Sequence, residues 1–598
     1  MNLLIKHKYW MILLCCVLVV CARSSALAGK IHPKLESSLL VSDPEDEVSV
    51  IVTLTEQQDI TKFKGKDRKI LRSWMKRSLQ AKADRSQKTL KKFLKQKSAH
   101  TVTPFWIFNG IAATLRAGDI DELANQPGVD SVQLDAFVSQ PQPVLANAAP
   151  PEWNLGVINA TGLWDLGYTG TGVVIAGMDT GVDASHPDLI SSWRGGSNSW
   201  YDPNGEHATP YDSNGHGTQT MGVMVGGDAG GTAIGVAPGA QWIAVKLFND
   251  QGTASYTAIH LGFQWLLDPD GDPNTDDMPD VVNSSWGFSE LVGQCFTEFQ
   301  ADIQVLKAAG VAVVFSSGNE GPNAYTSISP ANYPESFAVG SIDDTLTIAD
   351  SSSRGPSACD SSVYPEIVSP GVNIKTADLT FGGIFPDSYA YVSGTSIAAP
   401  HVSGTMALLL NAYPQLTVTE LEASLAQSAA DLGDLGWDSD YGNGLVDAGA
   451  AYNLVQSGMS TCPDVDGDGF PGEAGCVIIQ DCNDSDPAMY PGAEEIRHDG
   501  LDQDCNGYDL TIEILRADYR EVRDGIVVWA TSSLNSDALL QVNVPGIGVQ
   551  QMRWSESSQL WKKVVRDASL NGFIPGAPGS EIVVDGHEGA LSATVNTR

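Results

Sequence analysis

The chain carries 72 acidic against 35 basic residues over 598 positions, a net charge of −37, and 42% of its residues are hydrophobic. Such a charge implies a soluble protein and argues against a polyanion such as nucleic acid as its partner. Beyond the N terminus no segment has the length or hydrophobicity of a membrane span, so an integral membrane protein is excluded as well.

Residues 1–28 have the pattern of a secretory signal peptide. Lys6 and Lys8 precede an apolar run from Met11 to Val20, and Ala26-Leu27-Ala28 supplies a cleavage site. The expected location is extracellular. Residues 29–148 hold 18 of the 35 basic residues, crowded between Lys62 and Lys97, whereas residue 151 onward has 14 basic against 58 acidic. In the basic run Ile70, Leu71, Trp74, Leu79, Leu90 and Phe93 recur at helical spacing and predict a charged amphipathic helix or helix pair. Val48–Leu54 precedes it as a strand, and Gly110–Leu115 and Val129–Leu134 follow as strands flanking a short helix. Ser139–Pro151, rich in Pro, Ala, Asn and Gln, reads as an exposed linker.

From 149 to 456 strands and helices alternate, which predicts an α/β domain built on a doubly wound, mostly parallel sheet. The strands expected are Val173–Ala176, Gln241–Phe248, Pro279–Asn283, Val311–Ser316 and Phe337–Ile342, with helices over Tyr256–Leu267 and Thr297–Ala309. The acidic run Asp268–Asp277 is predicted to be a solvated loop, because its prolines and the missing twelfth-position Glu argue against a cation site.

Between 460 and 509 the texture changes. Asp464, Asp466 and Asp468 before Gly469, and Asp502, Asp504 and Asn506 before Gly507, give the spaced oxygens and turn of a calcium loop. Structural calcium is therefore expected, since so small a module with almost no apolar core needs metal or disulfides to stay folded. Of nine cysteines, Cys15, Cys16 and Cys21 leave with the signal peptide. Cys462, Cys476, Cys482 and Cys505 allow three pairings within the acidic module, and Cys295 and Cys359 remain to bond to each other. Residues 510–598 show short alternating runs such as Gly525–Ala530 and Leu539–Val544, which predict a small β-sandwich.

The chemistry concentrates in three short motifs. Gly394–Gly404 delivers Ser396 to the start of an apolar helix, where unpaired backbone N–H groups can stabilise an oxyanion. Alone, Ser396 is an ordinary helix cap. Gly177–Asp183 places Asp179 at the carboxyl end of a buried strand, and Asn214–Thr218 sets His216 between two glycines that allow close approach to the ring. No organic cofactor is implied.

Asp179, His216 and Ser396, in that order, resemble the triad of the subtilisin-like serine peptidases, over roughly Trp153 to Gln456. The resemblance implies Ser396 as nucleophile, His216 as general base and Asp179 as the group that orients the imidazole. Ser316–Pro322 matches the family's oxyanion segment, so Asn319 is expected to donate its side-chain amide to the oxyanion. Val281–Gly287 matches the edge that pairs with an extended substrate, which implies Ser285, Trp286 and Gly287 as peptide contacts and Asn283 as structural. His186 and His401 belong to family motifs and read as structural. His260 has no such motif and defaults to packing. Asp188 matches a calcium ligand of many relatives, although the glycine-rich Gly226–Gly235 replaces the adjoining loop.

Residues 29–148 resemble the family's inhibitory propeptide, with the acidic domain as complement to its basic run. Asp481–Gly507 resembles a short metal-binding repeat of secreted bacterial proteins, departing at Arg497 where cysteine is usual. The expectation is a monomeric secreted endopeptidase acting on protein or peptide substrates, made as a zymogen that its own propeptide inhibits. The alternatives are an exopeptidase variant and a calcium-dependent surface adhesion protein with an inactive peptidase domain.

Overall fold

A computed structural model describes residues 31–63, 68–142, 144–145, 153–381, 388–433 and 436–457, together with the strands of the segment 512–597 and residues 483, 485, 489 and 503 singly. The signal peptide and the six oxygen ligands expected of the acidic module, Asp464, Asp466, Asp468, Asp502, Asp504 and Asn506, lie outside the described residues. The chain forms two compact units that divide between Gln456 and Ser457.

The first unit opens with a four-stranded antiparallel sheet in the order β2-β3-β1-β4, made of β1 (Glu47–Leu54), β2 (His100–Phe105), β3 (Gly110–Arg116) and β4 (Val129–Leu134). Two helices, Arg68–Ser86 and Lys88–Gln96, fill the crossover from β1 to β2. β2 escapes a sequence reading because most of its residues are exposed and Pro104 interrupts the pattern, as an edge strand permits. The helix spacing also misleads: Ile70 and Trp74 are exposed, while Arg72 and Lys76 are buried. The docking face of this helix combines Arg72 and Lys76 with Met75 and Leu79.

Beyond it lies a seven-stranded sheet in the order β14-β13-β12-β11-β7-β9-β8, parallel throughout. Its strands are β7 (Val174–Asp179), β8 (Trp200–Tyr201), β9 (Gln241–Lys246), β11 (Val281–Ser284), β12 (Ala312–Ser316), β13 (Phe337–Ile342) and β14 (Ile367–Pro370). Successive side chains of β9 and β12 enter two different cores. Trp242, Ala244, Ala312 and Val314 face one; Ile243, Val245, Val313 and Phe315 face the other. Burial on both faces explains the unbroken apolar runs. The helices His216–Val225 and Thr395–Ala412 cover the first face, and Tyr256–Leu267 and Gln300–Ala308 the second.

The second core continues into the N-terminal sheet: Ile51, Met75, Leu79, Phe105, Phe108 and Ala112 belong to the same apolar cluster as Ile259, Phe263 and Phe299. Polar contacts fix the orientation. Asp135 caps the Tyr256–Leu267 helix by accepting from Thr257 N (3.0 Å) and Thr257 Oγ1 (2.8 Å), and Gln264 Oε1 accepts from Trp106 N at 2.7 Å. Arg72 Nη1 meets Asp276 Oδ1 at 2.9 Å, and Arg68 Nη1 meets Asp280 Oδ1 at 3.2 Å. The acidic run after Asp268 is therefore in part an interface, with Asp268 buried, while Asp270, Asp272 and Asp276 remain exposed as in the solvated loop its composition suggests. Cys295 and Cys359 form a disulfide.

The second unit, described by itself, is a pair of sheets. One is ordered β21-β22-β18-β17-β25 and the other β20-β19-β23-β24. Its strands are β17 (Glu513–Arg520), β18 (Gly525–Thr531), β19 (Gln541–Val544), β20 (Gly548–Gln551), β21 (Arg553–Ser555), β22 (Leu560–Arg566), β23 (Glu581–Gly586), β24 (Gly589–Thr594) and β25 (Asn596–Thr597). Ile526, Val528 and Trp561 of one sheet share a core with Val542, Ile582 and Val584 of the other, which is the sandwich arrangement.

Candidate active site

Every expected site residue of the first unit sits at the carboxyl edge of the parallel sheet, where open α/β sheets place their ligands. Asp179 ends β7, Ser285–Gly287 follow β11, and Asn319 follows β12. His216 is the first residue of its helix and Ser396 the second of its own.

His216 Nδ1 donates to Asp179 Oδ1 at 2.8 Å, with both side chains buried. Asp179 Oδ1 also accepts the Thr180 N–H at 2.7 Å. Burial opposes a charge on the imidazole, but the carboxylates of Asp179 and Asp212 together outweigh it and hold His216 above the ordinary histidine value. The close packing depends on glycine. A Cβ on Gly217 would lie 2.1 Å from the Gly181 carbonyl oxygen, and Gly181, at φ +118, leaves no room before Tyr211 O.

Asp212 was not foreseen from the sequence. Buried between the two motifs, it accepts from Thr180 Oγ1, Asn214 N and Gly215 N through Oδ1, and from Thr218 N and Thr218 Oγ1 through Oδ2. One carboxylate thus ties the aspartate loop to the histidine helix. The available signal was an acid two residues before Asn214, which any turn would also tolerate.

Ser396 Oγ donates to the Ser285 carbonyl at 3.3 Å, and among the described residues it makes no hydrogen bond to His216. Nucleophile–base bonds are often long before substrate is bound. Gly394, at φ +141, precedes the helix, and a Cβ there would lie 3.8 Å from Ser396 N and 3.6 Å from both Asn319 side-chain polar atoms. Asn319 Oδ1 accepts from Thr395 N (3.0 Å) and Thr395 Oγ1 (3.1 Å). With its oxygen so engaged, the amide keeps its N–H donors for a ligand near Ser396 N. An attacking hydroxyl, a paired imidazole and two kinds of N–H donor are the parts of acyl-transfer chemistry.

Ser285 and Trp286 turn their side chains inward. Ser285 Oγ donates to Ser396 O (2.8 Å) and accepts from Asn283 Nδ2 (3.0 Å), while Trp286 packs among Phe288, Phe299 and Phe315. Only backbone is left to a peptide there, and Gly287 is half-buried. The strand edge that is paired was not foreseen: β10 (Thr253–Ser255) pairs antiparallel with β5 (Phe137–Ser139), and Gln140 N donates to Gly252 O at 2.8 Å. A few residues on, β6 (Val144–Leu145) pairs with β16 (Tyr389–Ser393), which runs straight into Gly394 and Ser396. The N-terminal segment therefore pairs with β10 through β5 and, a few residues on, with the strand that leads into Ser396 through β6.

The remaining histidines are engaged elsewhere. His401 Nδ1 donates to Ile397 O and its Nε2 accepts from Asn154, and burial pushes its pKa down to about 4. His186 bonds Ser388 O and the Asp188 N–H. Asp188 has both carboxylate oxygens occupied, by Ala229 N and by the Tyr389 hydroxyl, each at 2.6 Å. His260 is not simple packing: it lies between Asp302 and Glu298, each at 2.9 Å. Burial opposes its charge, yet the two carboxylates raise its pKa to about 10.

The fold and this arrangement define a class, a parallel α/β protein with an Asp–His pair and a helix-borne serine at the sheet's carboxyl edge. Residues 170–444 match the subtilase family and residues 49–140 the peptidase inhibitor I9 family. Residues 481–509 match a metal-binding motif of the copper-binding MopE type. Bacillopeptidase F of Bacillus subtilis (strain 168) is 32% identical over 83% of this chain, which spans only 35% of that relative's length. Subtilisin E of the same organism is 31% identical over 60% of this chain and 85% of its own length, and an alkaline protease of Alkalihalobacillus alcalophilus is 32% identical over 57% and 78%. The chain belongs to the subtilase family.

Proposed function

We propose that the protein is a secreted serine endopeptidase made as a zymogen. Ser396 attacks the scissile carbonyl while His216 takes its proton, and Asp179 holds the tautomer and stabilises the imidazolium. Asn319 and the Ser396 N–H receive the oxyanion, and water then hydrolyses the acyl-enzyme. The observation that carries this reading is the 2.8 Å His216–Asp179 pair, with the chain's own β5 and β6 added to the edges of β10 and of β16, the strand that leads into Ser396. Strand addition of that kind binds through the backbone and discriminates little among sequences, which suits both protein substrates and an inhibitory propeptide. The propeptide's own tail is the first substrate, cut between Ser139 and Leu145.

A fluorophosphonate probe tests the assignment. Processed protein is expected to carry one adduct, on Ser396, and to lose labelling in His216→Ala; processed protein that takes no label would favour a binding role instead. For the acidic module we propose structural calcium, supported by its all-oxygen donor set. Excess chelator is expected to lower the melting temperature of the C-terminal region, and an unchanged transition would remove calcium from the account.

A further inference from the structure

The helix Thr395–Ala412, which carries Ser396, holds a proline one turn in, at Pro400. A proline nitrogen bears no hydrogen, so the carbonyl four residues back receives no helical bond from it. That carbonyl is the one of Ser396. It accepts instead from Ser285 Oγ, at 2.8 Å.

The Ser285 hydroxyl has one hydrogen to give, and its neighbours decide where it goes. Asn283 Nδ2 donates to Ser285 Oγ at 3.0 Å, and Asn283 Oδ1 accepts from Ser403 Oγ at 3.1 Å. An amide N–H only donates and a carbonyl oxygen only accepts, so the chain runs one way, from Ser403 through Asn283 and Ser285 to the Ser396 carbonyl. Asn283, Ser285 and Ser403 are all fully buried, where an acceptor stripped of its donor bears the whole desolvation penalty. The return contact is Ser396 Oγ to the Ser285 carbonyl at 3.3 Å. The two serines are therefore joined twice, and Ser285 begins the segment that offers a peptide only its backbone.

We propose that Ser285 is a positioning residue for catalysis: its hydroxyl stands in for the N–H that Pro400 lacks and holds the Ser396 turn in register with the strand edge that receives the substrate. The inference rests on the reading of Ser396 as nucleophile. Misplacing the reacting atoms by about 1 Å costs on the order of 100-fold in rate, so one buried hydrogen bond at the nucleophile's own carbonyl is enough to matter.

A double-mutant cycle tests it, because Pro400→Ala supplies the missing N–H. With Pro400 in place, Ser285→Ala is expected to lower kcat and the first-order rate of propeptide cleavage about 10- to 100-fold, with KM little changed because the substrate edge is backbone. In the Pro400→Ala background the same substitution is expected to lose only a small part of that. An equal loss in both backgrounds, a loss carried by KM, or no loss in Ser285→Ala would overturn the proposal. The Ser396→Ala chain keeps the carbonyl at position 396, so denaturant unfolding of that chain reads the same exchange without activity. There Ser285→Ala is expected to lower the midpoint more with Pro400 than with Pro400→Ala, and equal shifts, or failure to fold in both backgrounds alike, would overturn the exchange. Wild-type protein that neither takes the fluorophosphonate nor turns over would defeat the nucleophile reading, while the unfolding cycle still decides the hydrogen bond.

Discussion

Asp212 shows how much of a site's electrostatics can rest on one residue outside its motif. Its charge helps to lift His216, so Asp212→Asn is expected to lower the imidazole pKa. Activity needs the neutral ring, and the acid limb of kcat/KM follows that pKa: it lies above the ordinary histidine value in wild type and moves to lower pH in the variant. A pH–rate profile reads this directly, whereas a purely structural loss would lower the plateau and leave the limb in place. For Asn319→Leu the expected loss is about 100- to 1000-fold in kcat with KM little changed, the cost known for removing such a donor from a subtilisin itself. Single-turnover kinetics on a peptide substrate checks it. At this scale the sequence was informative, because Asp179, His216 and Ser396 stand in short glycine-framed motifs. Asp212 was not legible, since its role comes from five hydrogen bonds that converge only in the fold.

Elements explain where sequence reading works and where it stops. Strands buried on both faces, such as β12 and β13, read as apolar runs and fall where expected. β2 and β10 did not, because a short or exposed edge strand lacks that pattern. The helix Arg68–Ser86 is the sharper lesson: its apolar spacing alone does not show that Arg72 and Lys76 point into the interface while Ile70 stays exposed. Charge complementarity decided the face, and it depends on a loop some 200 residues away. Two predictions belong here. Gly217→Ala must push the histidine helix off the Gly181 carbonyl and is expected to destabilise by roughly 1–3 kcal/mol, measured by denaturant unfolding of the Ser396→Ala background. Replacing both Cys295 and Cys359 by Ser opens a closure of 64 residues and is expected to cost about 2–4 kcal/mol in the same assay.

Two buried histidines contribute to the molecule's response to pH with opposite sign. His401 is held near 4, below its unfolded value of about 6.5, so the unfolded chain binds the extra proton in between; stability is lost as pH falls through that window. His260 is raised to about 10, so its contribution is fully present below about pH 6.5 and is lost as pH climbs toward 10. His260→Gln is expected to flatten the alkaline limb of the melting-temperature profile and leave the acid limb. The basic propeptide and the acidic domain were legible from composition alone. That the propeptide and the catalytic domain share one apolar core was not, because Phe105, Phe108 and Phe263 join one cluster only across the assembled interface.

The central claim is that Ser396 cuts its own chain at the point where β5 gives way to β6. Intact mass and N-terminal sequencing of wild-type protein against Ser396→Ala test it most directly. The account predicts a new N terminus between Gln140 and Leu145 in wild type and an uncut propeptide junction in the variant. A variant processed at the same place, or an active wild-type enzyme still carrying residues 29–139 covalently, would contradict it.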